Sequence, residues 1–216
     1  GAAIADATDA STVDFSAGGV SDSFANLAGS GAVSANLGKI DAKDADVNVT
    51  VTGTIANATS QNVTDLNAIL AATTGTVTAT IDGKPAELER FTANGSSAAT
   101  NALTITVDDA VTASQGALIA DATDAATVDY SAAGVSDSFS NLADSGAVTT
   151  NMGKIDEKDA NVNVTVSDTI ANATAQNVTD LNALLAATDG TVTATIDGNQ
   201  ACLLYTSPSP RDKRQS

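Results

Sequence analysis

The residues best equipped for chemistry are closely spaced carboxylates. Asp41-Ala-Lys-Asp44-Ala-Asp46 sets three acids within six positions, and the run returns as Asp156-Glu-Lys-Asp159-Ala-Asn161. Hard divalent cations take several oxygen ligands, which neighbouring aspartates supply. Asp41, Asp44, Asp46, Asp156 and Asp159 are therefore the candidate metal ligands, and calcium is the candidate cofactor. Further acids pair at Asp108-Asp109, Asp6/Asp9 and Asp121/Asp124. The competing reading is solvated turn acids. It is favoured by the exchange of Asp46 for Asn161, and by the absence of both EF-hand spacing and the glycine-aspartate nonapeptide of calcium-binding rolls.

Other chemistries lack their parts. Histidine is absent, so no Ser-His pair exists in this chain. Ser136-Asp137-Ser138 reads as a helix cap. A glycosidase-like carboxylate pair has no aromatic subsite beside it. Gly18-Gly19 lacks the lysine and serine of a phosphate loop. The single cysteine, Cys202, excludes a disulfide or thiolate metal site within the chain. The expectation is a protein that is not an enzyme. A formal net charge of -17 repels nucleic acid and anionic lipid, and suits cations, high salt or a crowded extracellular setting. No 18-residue apolar run predicts a membrane span, and the N-terminus shows no signal-peptide pattern.

What must position these acids is a repeat. Thr12–Gly83 returns as Thr127–Gly198, with 58 of 72 positions identical and mild exchanges such as Phe15/Tyr130, Leu37/Met152 and Ile69/Leu184. The 115-residue period divides at residues 47, 76, 103 and 127, each opening on an apolar strand. Val47, Val49 and Val51 share one face of the first strand, Val77, Ala79 and Ile81 of the second, Leu103, Ile105 and Val107 of the third. The fourth, Thr127–Tyr130, has its copy at Thr12–Phe15.

Helical patterns lie between the strands. Val63, Leu66, Ile69 and Leu70 share a helical face. Asn62 is read as its cap, Asp65 as a first-turn acid and Gly75 as its stop. Pro85 suits a first helical position, with Leu88 and Phe91 inward and Asn94-Gly95 closing the segment. Thr112-x-x-Gln115 is a capping box. Phe139 and Leu142 mark a short helix in the fourth segment, and Val148–Ile155 adds a helical turn.

The predicted fold is α/β: a repeat solenoid of short parallel strands alternating with short helices, over residues 1–200. A single strand-and-helix unit cannot bury a core, whereas a stack can, and helical returns suit parallel pairing. A compact repeated α/β domain and a row of sandwich domains are the alternatives. Outward threonines, among them Thr50, Thr78, Thr80, Thr104 and Thr106, form a ladder that ordinary β propensity explains. Matched positions on every unit would be needed for it to order water. The chain reads as a window cut from a longer array.

Residues 201–216, from Ala201-Cys-Leu-Leu-Tyr to Arg-Gln-Ser216, are foreign to the repeat and resemble translated sequencing-adapter sequence. Their basic cluster is excluded from the functional reading. Val162-Asn-Val-Thr-Val-Ser-Asp-Thr-Ile170 and Asn177-Val-Thr-Asp-Leu-Asn-Ala-Leu-Leu-Ala-Ala-Thr-Asp-Gly190 resemble tandem repeats of very large secreted or surface proteins of aquatic bacteria, cyanobacteria included. The resemblance implies an extracellular or cell-surface location and a structural or adhesion role, often beside calcium-binding modules. The expected function is a stalk or spacer whose partners are neighbouring repeats. The alternative is a module holding surface polysaccharide or protein on the solenoid face.

Overall fold

The computed structural model describes residues 1–7, 12–15, 17–91, 100–125, 127–130 and 134–198. Alternating β-branched and polar residues give the strands, and stretches capped by Ser or Thr give the longer helices. In chain order they begin α1 (Ala2–Asp6), β1 (Val20–Ser23), α2 (Phe24–Leu27), β2 (Ala28–Gly29), β3 (Ala32–Val33) and α3 (Ala35–Asp41). Next come β4 (Val49–Ala58), α4 (Ser60–Ala72), β5 (Val77–Gly83), α5 (Pro85–Leu88), β6 (Asn101–Val107) and α6 (Ala113–Ala120). The second copy follows with β7 (Val128–Asp129), β8 (Val135–Asp137), α7 (Phe139–Leu142), β9 (Ala143–Asp144), β10 (Ala147–Val148) and α8 (Thr150–Lys158). It ends with β11 (Val164–Ile170), α9 (Ala175–Ala187) and β12 (Val192–Ile196).

The class is mixed α/β. A five-stranded parallel sheet runs β1-β4-β5-β6-β7, so each strand lies beside the next main strand in the chain. Val20 pairs with Val49, Val49 with Val77, and Val77 with Asn101. A three-stranded parallel sheet, β8-β11-β12, repeats the arrangement in the second copy. A parallel bridge between Val111 and Val135 stands between the two sheets. The only antiparallel pairs among the described residues are the two small hairpins, β2 with β3 and β9 with β10.

The buried strand faces follow the expected alternation. Val77, Ile81, Leu103 and Ile105 are fully buried, and Ile55, Ile81, Ile105 and Val128 stand in register across four strands. Helices roof this ladder with Leu66, Ile69, Leu88 and Ile119, all fully buried. Burying each such side chain contributes roughly 1.5–3 kcal/mol. A single apolar cluster extends from Leu27 to Leu184, across both copies. Asn101 occupies the register position of the valines, is itself buried, and leaves its side-chain oxygen without a partner.

Several local expectations are corrected. Thr59, not Asn62, caps α4; Asn62 is its third residue and closes a capping box. Gly75 is not a left-handed stop. A side chain there would meet the backbone of Asp46 and lie 2.6 Å from the carbonyl oxygen of Val47, so glycine permits close approach to the segment that leads into β4. The fourth unit carries two strands in the parallel series, β7 and β8; the second was not foreseen. Thr12–Phe15 forms no strand although its copy contains β7. β7 pairs with β6, and the described residues hold no equivalent of β6 ahead of Thr12. Asn94-Gly95, Asp9 and the 201–216 tail with Cys202 lie outside the described residues.

Candidate functional site

Several of the acids act as clamps on backbone N–H groups of an earlier stretch of the chain. At the first predicted cluster, Asp44 is buried and its Oδ2 accepts from the Phe15 amide at 2.6 Å. Its copy Asp159 accepts from the Tyr130 amide at 2.9 Å. In both copies the carboxylate holds the chain segment 29 residues earlier. A donor paired with a carboxylate forms a hydrogen bond roughly twice as strong as a neutral one.

The same device recurs at acids outside the five candidate metal ligands. Asp65 is buried on α4. Its Oδ1 accepts from the Gly31 amide at 2.5 Å and from Gln61 Nε2 at 2.9 Å. Asp180 repeats this with Gly146 at 2.5 Å and Gln176 at 2.7 Å. These bonds fix the hairpin turns, where Ser30 and Gly31, like Ser145 and Gly146, have positive φ. Such paired left-handed residues are the two-residue turn that suits the right-handed twist of a hairpin. Further clamps run from Asn57 N to Asp82 at 2.6 Å, from Asn101 N to Asp124 at 2.8 Å, and from Phe139 N to Asp168 at 2.7 Å.

Asparagine and threonine complete the set. Asn48 Oδ1 accepts from Thr76 N at 2.7 Å, and Asn163 from Thr191 N at 2.9 Å. The Thr73 hydroxyl donates to Val47 O at 2.6 Å while accepting from Gly75 N at 2.9 Å; Thr188 repeats both contacts. Side chains outside the sheet ladder thus tie successive stretches of the chain together.

Of the five predicted metal ligands, the structure brings Asp46 against Asp44. No group of three or more His, Cys, Asp or Glu that could hold a metal ion occurs among the described residues. Asp44 and Asp159 are engaged as clamps. Asp46 is exposed, and a hydrogen bond with Asp44, then the charge of Asp44, raise its carboxyl above the ordinary value. Asp41 and Asp156 occupy equivalent places, and each has one buried oxygen without a hydrogen-bond partner. Burial raises the Asp41 carboxyl; burial, then the charges of Asp189 and Asp159, raise that of Asp156.

The contrast between Asp22 and Asp137 shows what an adjoining unit adds. Asp137 accepts from Ala113 N at 2.9 Å, Ser138 N at 2.7 Å and Asn141 Nδ2 at 2.8 Å. Burial opposes its charge, but these bonds together outweigh that cost and lower its carboxyl. Its copy Asp22 keeps only the bonds from Asn26 and Ser23, which also lower it. Tyr130 is buried and its hydroxyl donates to Gly116 O at 2.6 Å. Burial, then the charges of Asp159 and Asp121, push its phenol upward.

The threonine ladder is short. Thr54, Thr80 and Thr104 stand in register, but Thr78 meets Ala102, and β4 breaks register between Thr50 and Thr54. No family model matches the chain, and neither the curated proteins nor the solved structures contain a match to it. No helix of the described residues is long and apolar enough to cross a membrane.

The clamps were only partly legible in sequence. Asp65 interrupts the apolar run of α4 and has Gln61 one turn before it, which marks it as more than a dipole-favouring acid. Nothing local in Asp124 or Asp168 identifies a donor more than twenty residues away.

Proposed function

We propose that this chain is a non-catalytic structural segment, a stalk or spacer built as a repeat solenoid within a large extracellular or cell-surface protein with an adhesion-related role. The observation that carries the reading is the recurrent clamp. In both copies, Asp44/Asp159 and Asp65/Asp180 tie a unit to the chain about 30 residues earlier. Strand order that follows chain order supports it as well. In such a stack each unit buries the apolar face of its neighbour, so stability accumulates through nearest-neighbour interfaces. Its partners are neighbouring repeats. Calcium would serve as a counter-ion to the acidic surface.

Small-angle scattering on chains carrying one, two and three copies of the 115-residue repeat tests the stack. The maximum dimension should grow in proportion to copy number. A dimension that rises only with the cube root of mass would sink the spacer reading. Sequencing the complete reading frame from genomic DNA tests the setting, because further copies and a secretion signal should accompany this segment.

A further inference from the structure

Seven Asn-x-Ser/Thr sequences occur in the chain. An asparagine in this pattern accepts an N-linked sugar where its side-chain amide can be reached. Asn94 lies outside the described residues, and the structure sorts the other six into three kinds. Asn48 and Asn163 lead directly into β4 and β11, and their side-chain oxygens accept from Thr76 N and Thr191 N. The following residues Val49 and Thr50 are paired on both sides, to β1 and to β5. Asn62 and Asn177 lie in the first turns of α4 and α9, where their side chains close the capping boxes. Asn57 and Asn172 differ from both kinds. Each is exposed at the end of a strand segment and just ahead of the threonine that caps the next helix. Their φ angles are 49° and 50°, a region that asparagine tolerates. Their side-chain amides form no hydrogen bond with a described residue. The backbone of Asn57 is meanwhile held in place, its N–H donating to Asp82 at 2.6 Å.

We propose that Asn57 and Asn172 are the acceptor sites of the folded repeat for N-linked sugar, one per copy at equivalent positions. The co-substrate is a sugar activated at C1 as a diphosphate ester. The side-chain nitrogen attacks C1, the N–C1 bond forms and the C1–O bond breaks. The bonding pair leaves with the diphosphate, and the nitrogen gives one proton to a base of the transferase. In the other four sequences this nitrogen belongs to an amide already committed to a backbone partner, so transfer there requires local opening first. Asn57 also lines a cleft of about 230 Å³ together with Ser60, Lys84, Glu87 and Asp108. Their hydroxyl, ammonium and carboxylate groups supply donors and acceptors suited to sugar hydroxyls. The proposal takes its cellular setting from the cell-surface reading above, whereas the acceptor chemistry is a property of the folded chain alone.

The test incubates the full chain, folded and urea-unfolded, with a soluble N-glucosyltransferase and UDP-glucose, and locates the added hexose by mass spectrometry of peptides. The folded chain should gain hexose at Asn57 and Asn172, with Asn48, Asn62, Asn163 and Asn177 modified about tenfold more slowly or less. The chain diluted from urea into the same assay just before it refolds should lose that preference. Asn57→Asp and Asn172→Asp keep a residue that tolerates positive φ but lack the amide, and each should remove one hexose from the folded product. Circular dichroism confirms the fold of each variant. Equal rates at the six positions of the folded chain overturn the proposal, as does modification confined to the strand or helix positions. Modification of the unfolded chain alone overturns it too, because the folded sites are then closed, and so does failure at Asn57 and Asn172 in both forms. A complete reading frame without a secretion signal would remove the cell-surface setting and leave the result at these two asparagines standing.

Discussion

At the scale of single residues, the acids divide into carboxylates held by donors and carboxylates with a buried oxygen that has none. Asp65 is the clearest of the first kind, because it is buried and serves both a hairpin amide and Gln61. Asp65→Ala should cost roughly 2 kcal/mol, the range for a hydrogen bond to a charged group. Urea denaturation measures this, with exposed Asp144→Ala as the control that should change little. Asp41 and Asp156 are of the second kind. Their folded carboxyls are raised above the ordinary value of 3.8, so their contribution is fully present below that pH. It is lost as pH rises through the raised folded values. Asp41→Asn with Asp156→Asn should therefore remove a decline in stability across that window and raise the neutral-pH melting temperature. Thermal melts from pH 3 upward, against the parent chain, read the effect. Asp137 works in the opposite direction: its lowered carboxyl contributes above 3.8, and that contribution is lost as pH falls through the folded value.

At the scale of elements, close backbone approach matters as much as propensity. Gly75 and Gly190 sit where a β-carbon would overlap main-chain oxygens of Val47 and Val162 respectively. Because those oxygens belong to fixed backbone, relief requires the two segments to separate. Gly75→Ala should cost about 1–3 kcal/mol, the usual range for overpacking. Gly29, with open space around its β position, supplies the contrast; Gly29→Ala should be tolerated to within about 0.5 kcal/mol. Chemical denaturation of the two variants decides the matter. The hairpins use glycine differently: Gly31 and Gly146 supply positive φ beside a serine in the same region, and the aspartate clamp helps to hold that turn.

At the scale of the whole molecule, a net charge of -17 opposes compaction through self-repulsion. Screening shortens the reach of that repulsion to about 3 Å at 1 M salt. The melting temperature should accordingly rise between low salt and 1 M sodium chloride. Calcium and magnesium at matched ionic strength should raise it equally if they act as counter-ions. A calcium-selective increase in calorimetry would establish a bound cation instead. The pairs Lys39–Asp6 and Lys154–Asp121, at 2.8 and 2.6 Å, are partly exposed and repeat in the two copies. Exposed pairs of this kind contribute at most about 1 kcal/mol each, too little to offset the general excess of acid.

Sequence by itself determined the repeat, the inward faces of β4, β5 and β6, and the helices at Ser60 and Thr112, because alternation, apolar spacing and capping are local properties. It also placed Asp44 and Asp159 among the residues that matter, though as metal ligands. Only the tertiary structure decided what those carboxylates meet, since their donors lie 29 residues away along the chain. The near-identical segments are the plainest case. Thr12–Phe15 and Thr127–Tyr130 differ little in sequence, yet only the second contains a strand. Leu70 and Leu185 occupy matching helices, yet only the first is covered. A strand needs an edge to pair with, and an apolar side chain needs a neighbour to exclude water; both are supplied by the adjoining unit.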